Sequence, residues 1–163
     1  MAAAICVSAS SGTMAATRKN GKASNMTDTK TYAAVAMQLA ARSIEKTPDK
    51  AAARKQMLDM IGSLESKIRS ASIFIQQYAG NPVKLAVLPE YLLTSYPGRI
   101  SIPDFADKAA LEVDGPEYEA LGAMAQRLKM FIAGNAYEAD KNFPGLYFQA
   151  SFIVAPSGDV VLR

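Results

Sequence analysis

The 163-residue sequence contains no histidine and a single cysteine, Cys6. Without imidazole the chain cannot assemble a Ser-His-Asp or Cys-His nucleophile pair of its own, and most transition-metal sites lose their commonest ligand. One thiol forms no intrachain disulfide, which points to a reducing compartment. No apolar stretch approaches the roughly 20 residues of a membrane-spanning helix; the longest runs, around Leu85–Leu88 and Phe152–Pro156, are strand-sized. A phosphate-binding glycine loop is also missing, because Gly21-Lys22 lacks the upstream glycine and no G-x-G-x-x-G occurs. Half the residues are apolar and a fifth are charged, which is the composition of one soluble globular domain.

The net charge of +3 is unevenly placed. Residues 1–30 hold Arg18, Lys19, Lys22 and Lys30 against Asp28 alone, so they carry all of it, and residues 31–163 balance fourteen bases with fourteen acids. A neutral folded part argues against a nucleic-acid surface, which needs a basic face on the domain itself. Residues 1–30 are rich in Ala, Ser, Thr and Gly, show no helix or strand period, and are expected to be a disordered or targeting-like tail. Three origins compete: a transit-type peptide, a degenerate secretory signal, or a reading frame begun too early, with Met14 or Met26 as the true start. The last is favoured, because Met26 leads directly into the first strand, and the expected location is cytoplasmic, or organellar if the tail is a transit peptide. Cys6 on such a tail is a poor nucleophile, because an unordered segment does not hold a thiolate in geometry.

From residue 31 the periodicities predict alternating strands and helices. Thr31–Gln38 reads as a buried strand of small residues. Thr47-Pro48-Asp49 predicts a helix start capped by Thr47. Met57, Ile61, Leu64, Ile68, Ile75 and Tyr78 supply one apolar face of a long helix that ends at Gly80-Asn81-Pro82. "VKLAVLPE" is a strand apolar on both sides, and Asp114-Gly115-Pro116 opens a helix lined by Tyr118, Leu121, Met124, Ala125 and Leu128. "MFIAGN" is a further strand, and "LYFQASFIVA" with "DVVLR" a hairpin turned by Pro156-Ser157-Gly158. The order predicts an α/β domain with a mixed sheet.

Glu90 is the candidate of chemical interest. It stands just past the carboxyl end of a buried strand, where open α/β sheets place their ligands. Pro89 fixes the direction in which the chain leaves the sheet. The residues leave two readings open, a solvated loop acid or a preorganised acid–base group. Tyr91 and Tyr96 flank "YLLTSYPG", a segment too apolar for a free loop, with Leu92 and Leu93 packed beneath it. They are either part of a packed loop or the wall of a substrate pocket around Glu90. The acids Glu112, Asp114, Glu117 and Glu119 are expected at a helix N-terminus on dipole grounds, and no metal site is expected from them.

"KLAVLPEYLLTSYPG", "GPEYEALGAMAQRLKMFIAGNAYEAD" and "YFQASFIVAPSGDVVLR", in this order, resemble the amino-terminal half of the nitrilase, or carbon–nitrogen hydrolase, superfamily from about Tyr32 to Arg163. The resemblance implies that residues 31–163 are the amino-terminal portion of a four-layer α-β-β-α sandwich and that Glu90 is its general base. In that family a lysine stabilises the tetrahedral intermediate and a cysteine is the nucleophile, both further along the chain. The implied reaction is hydrolysis of a small-molecule amide or nitrile with no metal or organic cofactor. Glu90 takes the thiol proton, the thiolate attacks carbon, the ammonium balances the developing charge, and water releases a thioester. Because the lysine and cysteine fall beyond Arg163, the sequence reads as a truncated hydrolase. The alternative is a non-catalytic subunit that docks onto a full-length relative. Half a sandwich leaves an apolar sheet face uncovered, so further copies of the chain are expected partners. Ser95 stands where many relatives have glycine.

Overall fold

The computed structural model describes residues 31–163 and the backbone of residues 3–8. Among the described residues six strands form one mixed sheet in chain order: β1 (Ala3–Ser8), β2 (Ala33–Gln38), β3 (Val83–Val87), β4 (Phe131–Ala139), β5 (Tyr147–Val154) and β6 (Val160–Leu162). β2, β3 and β4 run parallel, and β1, β5 and β6 attach antiparallel to their neighbours. Parallel neighbours require crossovers. α1 (Lys50–Ala79) links β2 to β3, and α2 (Ile102–Ala109) with α3 (Pro116–Leu128) links β3 to β4. The α/β class and the mixed sheet are those the periodicities predict. No helix among the described residues is long and apolar enough to cross a membrane.

The expectation of an unordered tail is corrected at Ala3–Ser8, which pairs with β2 from Ala3 opposite Gln38 to Ser8 opposite Ala33. The tail was judged by its lack of large apolar side chains, whereas strand pairing is carried by backbone hydrogen bonds that small residues supply equally well. The rest of that expectation, residues 1, 2 and 9–30, lies outside the described residues.

α1 packs Met57, Ile61, Leu64, Ile68 and Ile75 inward as predicted, but Tyr78 is 79% exposed and lies against the exposed Phe74 ring instead. Its cap is Asp49, whose carboxylate accepts from the Ala52 N–H at 2.8 Å. The expected cap, Thr47, instead donates its hydroxyl to the Ile44 carbonyl. α2 is an element the periodicities did not reveal. Eight residues give barely two turns, and its signals are the Ser101 cap, which accepts from the Asp104 N–H, and Pro103 in the first turn.

α1 and α3 cover one sheet face. Ala33, Val35, Met37, Ala86, Leu88, Ile132, Ala136, Phe152 and Val154 are buried in a common core with them. Gly134 belongs to this packing: it pairs with Phe152 across the strands, and a Cβ there would lie 2.5 Å from the Phe152 ring. The pleat sends the alternate residues to the opposite face, where Val87, Phe131 and Leu162 remain exposed.

An ion pair ties the connections together. Glu117, in the first turn of α3, is completely buried, and its Oε2 lies 2.8 Å from Nη1 of Arg54 in α1. The other Arg54 nitrogen, Nη2, donates to the Ala110 carbonyl at the end of α2 at 2.7 Å. Glu117 lies in the first turn of α3 as the dipole reading expects, and it has a structural role besides: Arg54 fastens α1 to α2 and α3 at once. Removing one partner of a buried pair leaves an uncompensated charge, so Glu117→Ala is expected to cost about 3–5 kcal/mol in urea unfolding. Replacing both residues by leucine is expected to recover most of that loss.

Candidate active site

Strand register arranges the uncovered face in rows. Val87 faces Ala133, Ala133 faces Ile153, and Ile153 faces Leu162, giving one apolar row across β3 to β6. Towards the carboxyl end of β4 the next pairs are Asn135 with Ser151 and Tyr137 with Gln149. The face thus changes from apolar to polar along β4. The Leu88 N–H extends the β3–β4 ladder to the Ala133 carbonyl at 2.8 Å, and Pro89 then turns the chain so that Glu90 stands over the polar end.

Glu90 lines a groove of about 460 Å³ whose walls include Val87, Ala133, Asn135, Gln149 and Ser151. It is exposed to solvent at this position. Its Oε1 accepts a hydrogen bond from Gln149 Nε2 at 2.6 Å, and Gln149 Oε1 accepts from the Tyr91 hydroxyl at 3.3 Å. Asn135 donates its Nδ2 to the Ala150 carbonyl at 3.1 Å, while its Oδ1 is buried without a partner among the described residues. Buried side-chain acceptors usually have a partner, so this oxygen is open to a donor from outside the described residues.

The two tyrosines expected around Glu90 occupy different positions. Tyr91 is half-buried and stacks on Tyr137 with ring centroids 5.4 Å apart. It reaches Glu90 only through Gln149. Tyr96 is 67% exposed, and neither ring is part of the groove wall. Leu92 and Leu93 are buried beneath the loop as predicted. The residues the sequence reading missed are Gln149, Asn135 and Tyr137. Gln149 and Ser151 carry a signal, being polar at alternate positions of a strand whose other face holds Phe152 and Val154. A period of two places both on the face away from the helices.

Tyr137 anchors the site from below. Phe105 of α2 and Tyr147 of β5 meet it edge-on at 5.1 and 5.2 Å, and its carbonyl accepts from the Leu111 N–H at 2.7 Å. Burial pushes its hydroxyl well above the ordinary phenol range; the neighbouring Tyr91 hydroxyl adds to this, and the Glu90 charge acts in the same direction. Tyr118 is raised too, by burial first and then by the hydrogen bond it donates to Glu138.

The loop holds two non-glycine residues in the left-handed region, Tyr91 at φ +56° and Ser95 at φ +62°. Tyr91 directly follows the candidate base, and such outliers persist where surrounding structure over-determines them. The Tyr91 carbonyl accepts from the Ser95 N–H at 2.8 Å, closing the turn between them. Glycine takes this left-handed backbone without the penalty a Cβ incurs.

Two outcomes are expected. Ser95→Gly relieves the left-handed penalty at the cost of a more flexible unfolded chain, for a net gain of about 0.5–1 kcal/mol, seen as a higher urea midpoint at unchanged slope. Tyr118 and Tyr137 hold their protons more tightly when folded, so their contribution is fully present below about pH 10 and is lost as the pH rises above it, by about 1.4 kcal/mol per pH unit for each. Alkaline denaturation scans are expected to show this slope in the parent and about half of it in Tyr137→Phe.

The model of the carbon-nitrogen hydrolase family matches residues 32–163. A search of curated proteins found no match. Among solved structures, an N-terminal amidase with an Asn-Glu-Ala peptide superposes with a TM-score of 0.55 at 17% identity, covering 79% of this chain and 26% of the amidase chain. The same enzyme with a Gln-Val peptide gives 0.57 at 16% identity over the same shares. Saccharomyces cerevisiae Nit3, a member of branch 10 of the nitrilase superfamily, gives 0.51 at 18% identity, covering 65% of this chain and 37% of Nit3. At these identities the likeness is one of fold, and the chain spans only about a quarter to a third of the structures it matches. The shared sheet-and-helix arrangement and the family match over residues 32–163 together show that this chain belongs to the carbon–nitrogen hydrolase family.

Proposed function

We propose that this chain supplies the general-base portion of a carbon–nitrogen hydrolase of amidase or nitrilase type, with Glu90 as the base. The observation that supports this reading is the placement of Glu90: just beyond a parallel strand, over the polar end of an uncovered sheet face, with one carboxylate oxygen held by Gln149. An acid that merely solvates a loop has no need of a defined partner from a strand two positions away in the sheet.

In this reading Glu90 accepts the proton of an attacking thiol, and the resulting thiolate adds to an amide or nitrile carbon. A lysine ammonium balances the negative charge of the tetrahedral intermediate, and water hydrolyses the thioester. The family resemblance matches neither the lysine nor the thiol to a position within residues 1–163, and Cys6 lies in β1, opposite Val35 of β2. A second reading, a non-catalytic subunit that docks onto a longer relative, is favoured by the exposed apolar residues Val87, Phe131 and Leu162 on the uncovered face.

Complementation separates the two. Mixed with the carboxyl-terminal portion of a family relative, the chain is expected to release ammonia from a small amide or nitrile, and Glu90→Gln is expected to lower turnover by about 10²–10⁴-fold without loss of assembly. Assembly with no ammonia release supports the docking role instead. Turnover in Glu90→Gln within a few-fold of the parent removes Glu90 from the chemistry.

A further inference from the structure

A carboxylate has two oxygens, and a general base in open solvent can take its proton on either. Glu90 is exposed, so burial does not choose between them. The hydrogen bonds do. Gln149 Nε2 donates to Oε1 of Glu90 at 2.6 Å. An amide N–H carries no acceptor lone pair, so the lone pair of Oε1 that meets Gln149 is unavailable for a second proton. If the Gln149 amide were turned over, its oxygen would face that of the carboxylate, acceptor against acceptor. On the other side Gln149 Oε1 accepts from the Tyr91 hydroxyl at 3.3 Å. Tyr91 is itself held by its stack on Tyr137 and by a left-handed backbone.

We infer that Gln149, hydrogen-bonded in turn to the Tyr91 hydroxyl, is the positioning residue for Glu90: it engages one lone pair of Oε1 and leaves Oε2 the oxygen with both lone pairs free, where the proton is taken up and given back. This rests on the reading of Glu90 as general base. Gln149 acts on the proton through Glu90, and the Tyr91 hydroxyl acts through Gln149. The step is a proton transfer only: the thiol S–H bond breaks, an O–H bond forms at Oε2, and the carboxylate becomes a neutral acid that still accepts from Gln149 at Oε1. The proton later leaves Oε2 for the departing nitrogen. Gln149 thereby does for an exposed acid what a closed pocket does for a buried one: it fixes the carboxylate plane before substrate arrives.

The arrangement is testable on this chain by nuclear magnetic resonance of the Gln149 side-chain amide, assigned by its disappearance in Gln149→Leu. Its protons are expected to exchange with water about tenfold more slowly than those of an unstructured glutamine at the same pH. Glu90→Ala is expected to abolish this protection, and Tyr91→Phe to reduce it. Protection is expected to persist through protonation of Glu90 as the pH is lowered, because the proton enters at Oε2 and leaves Oε1 to accept from Gln149. Equal exchange in the parent and in Glu90→Ala would overturn the proposal, as would protection that vanishes when Glu90 takes up its proton. Glu90→Gln keeps an acceptor oxygen for Gln149 and is expected to retain most of the protection. Full turnover of that variant in the complemented enzyme would remove the base assignment and leave the hydrogen-bond chain intact, whereas loss of protection in the parent removes the chain and leaves the base assignment untouched.

Discussion

β4 is bonded to a parallel strand on one side and an antiparallel strand on the other, and its pleat divides two environments. Ile132 and Ala136 meet α1 and α3 in the main core and Gly134 packs beside them, while Ala133 and Asn135 line the groove on the other face and Tyr137 is buried against Phe105 of α2. A slip of one residue in either pairing would exchange the two sets, burying the Asn135 amide in the core and exposing Ile132. The cost of such a slip is what fixes the register, and the register sets the relation between Glu90 and Gln149. These two residues lie 59 positions apart in sequence and on strands that never touch, yet they meet because both β3 and β5 are indexed to β4.

The helix layer depends on a different kind of interaction. α1 is long enough to span the sheet, but α2 and α3 are short and are separated from it by loops. Arg54 closes that gap through the Ala110 carbonyl and the Glu117 carboxylate. The next residue, Leu111, bonds to β4 from both its N–H and its carbonyl, meeting the Tyr137 carbonyl and the Ala139 N–H. Arg54 therefore holds a segment that in turn supports the end of β4 beneath Tyr137. A buried ion pair contributes little net stability compared with apolar packing of the same volume, but it is directional. In this fold its direction decides where the α2–α3 connection lies.

The long-period features were legible in the sequence. α1 declares itself by five inward residues at helical spacing, α3 by Gly115-Pro116 and its stripe, and the β5–β6 hairpin by Pro156-Ser157-Gly158. What was not legible involves either few residues or partners distant in sequence. α2 has too few turns to show a period. Glu117 looks like any acid in a first helical turn, and only its meeting with Arg54, 63 positions earlier, distinguishes it. Glu90 was visible because a strand, a proline and an acid are adjacent, whereas Gln149 became significant only once the sheet had been assembled. Tyr91 and Tyr96 illustrate the limit of composition: both are aromatic and both flank the same loop, but a left-handed backbone at Tyr91 directs one onto Tyr137 while the other points to solvent.

The uncovered face makes opposite demands along its length. The row Val87, Ala133, Ile153 and Leu162 has nothing to offer water, so a second layer laid over it would gain roughly 25 cal/mol for each Å² of apolar surface removed from solvent. Over Asn135, Ser151, Gln149 and Glu90 the same layer would have to supply a hydrogen bond for every group it covered or pay for the omission. Covering is therefore favoured over this apolar row and resisted towards the carboxyl end of β4, where Glu90 stands. A sheet patterned in this way favours a cover over one part of its face and resists it over the other, where a carboxylate is already held by Gln149 of β5.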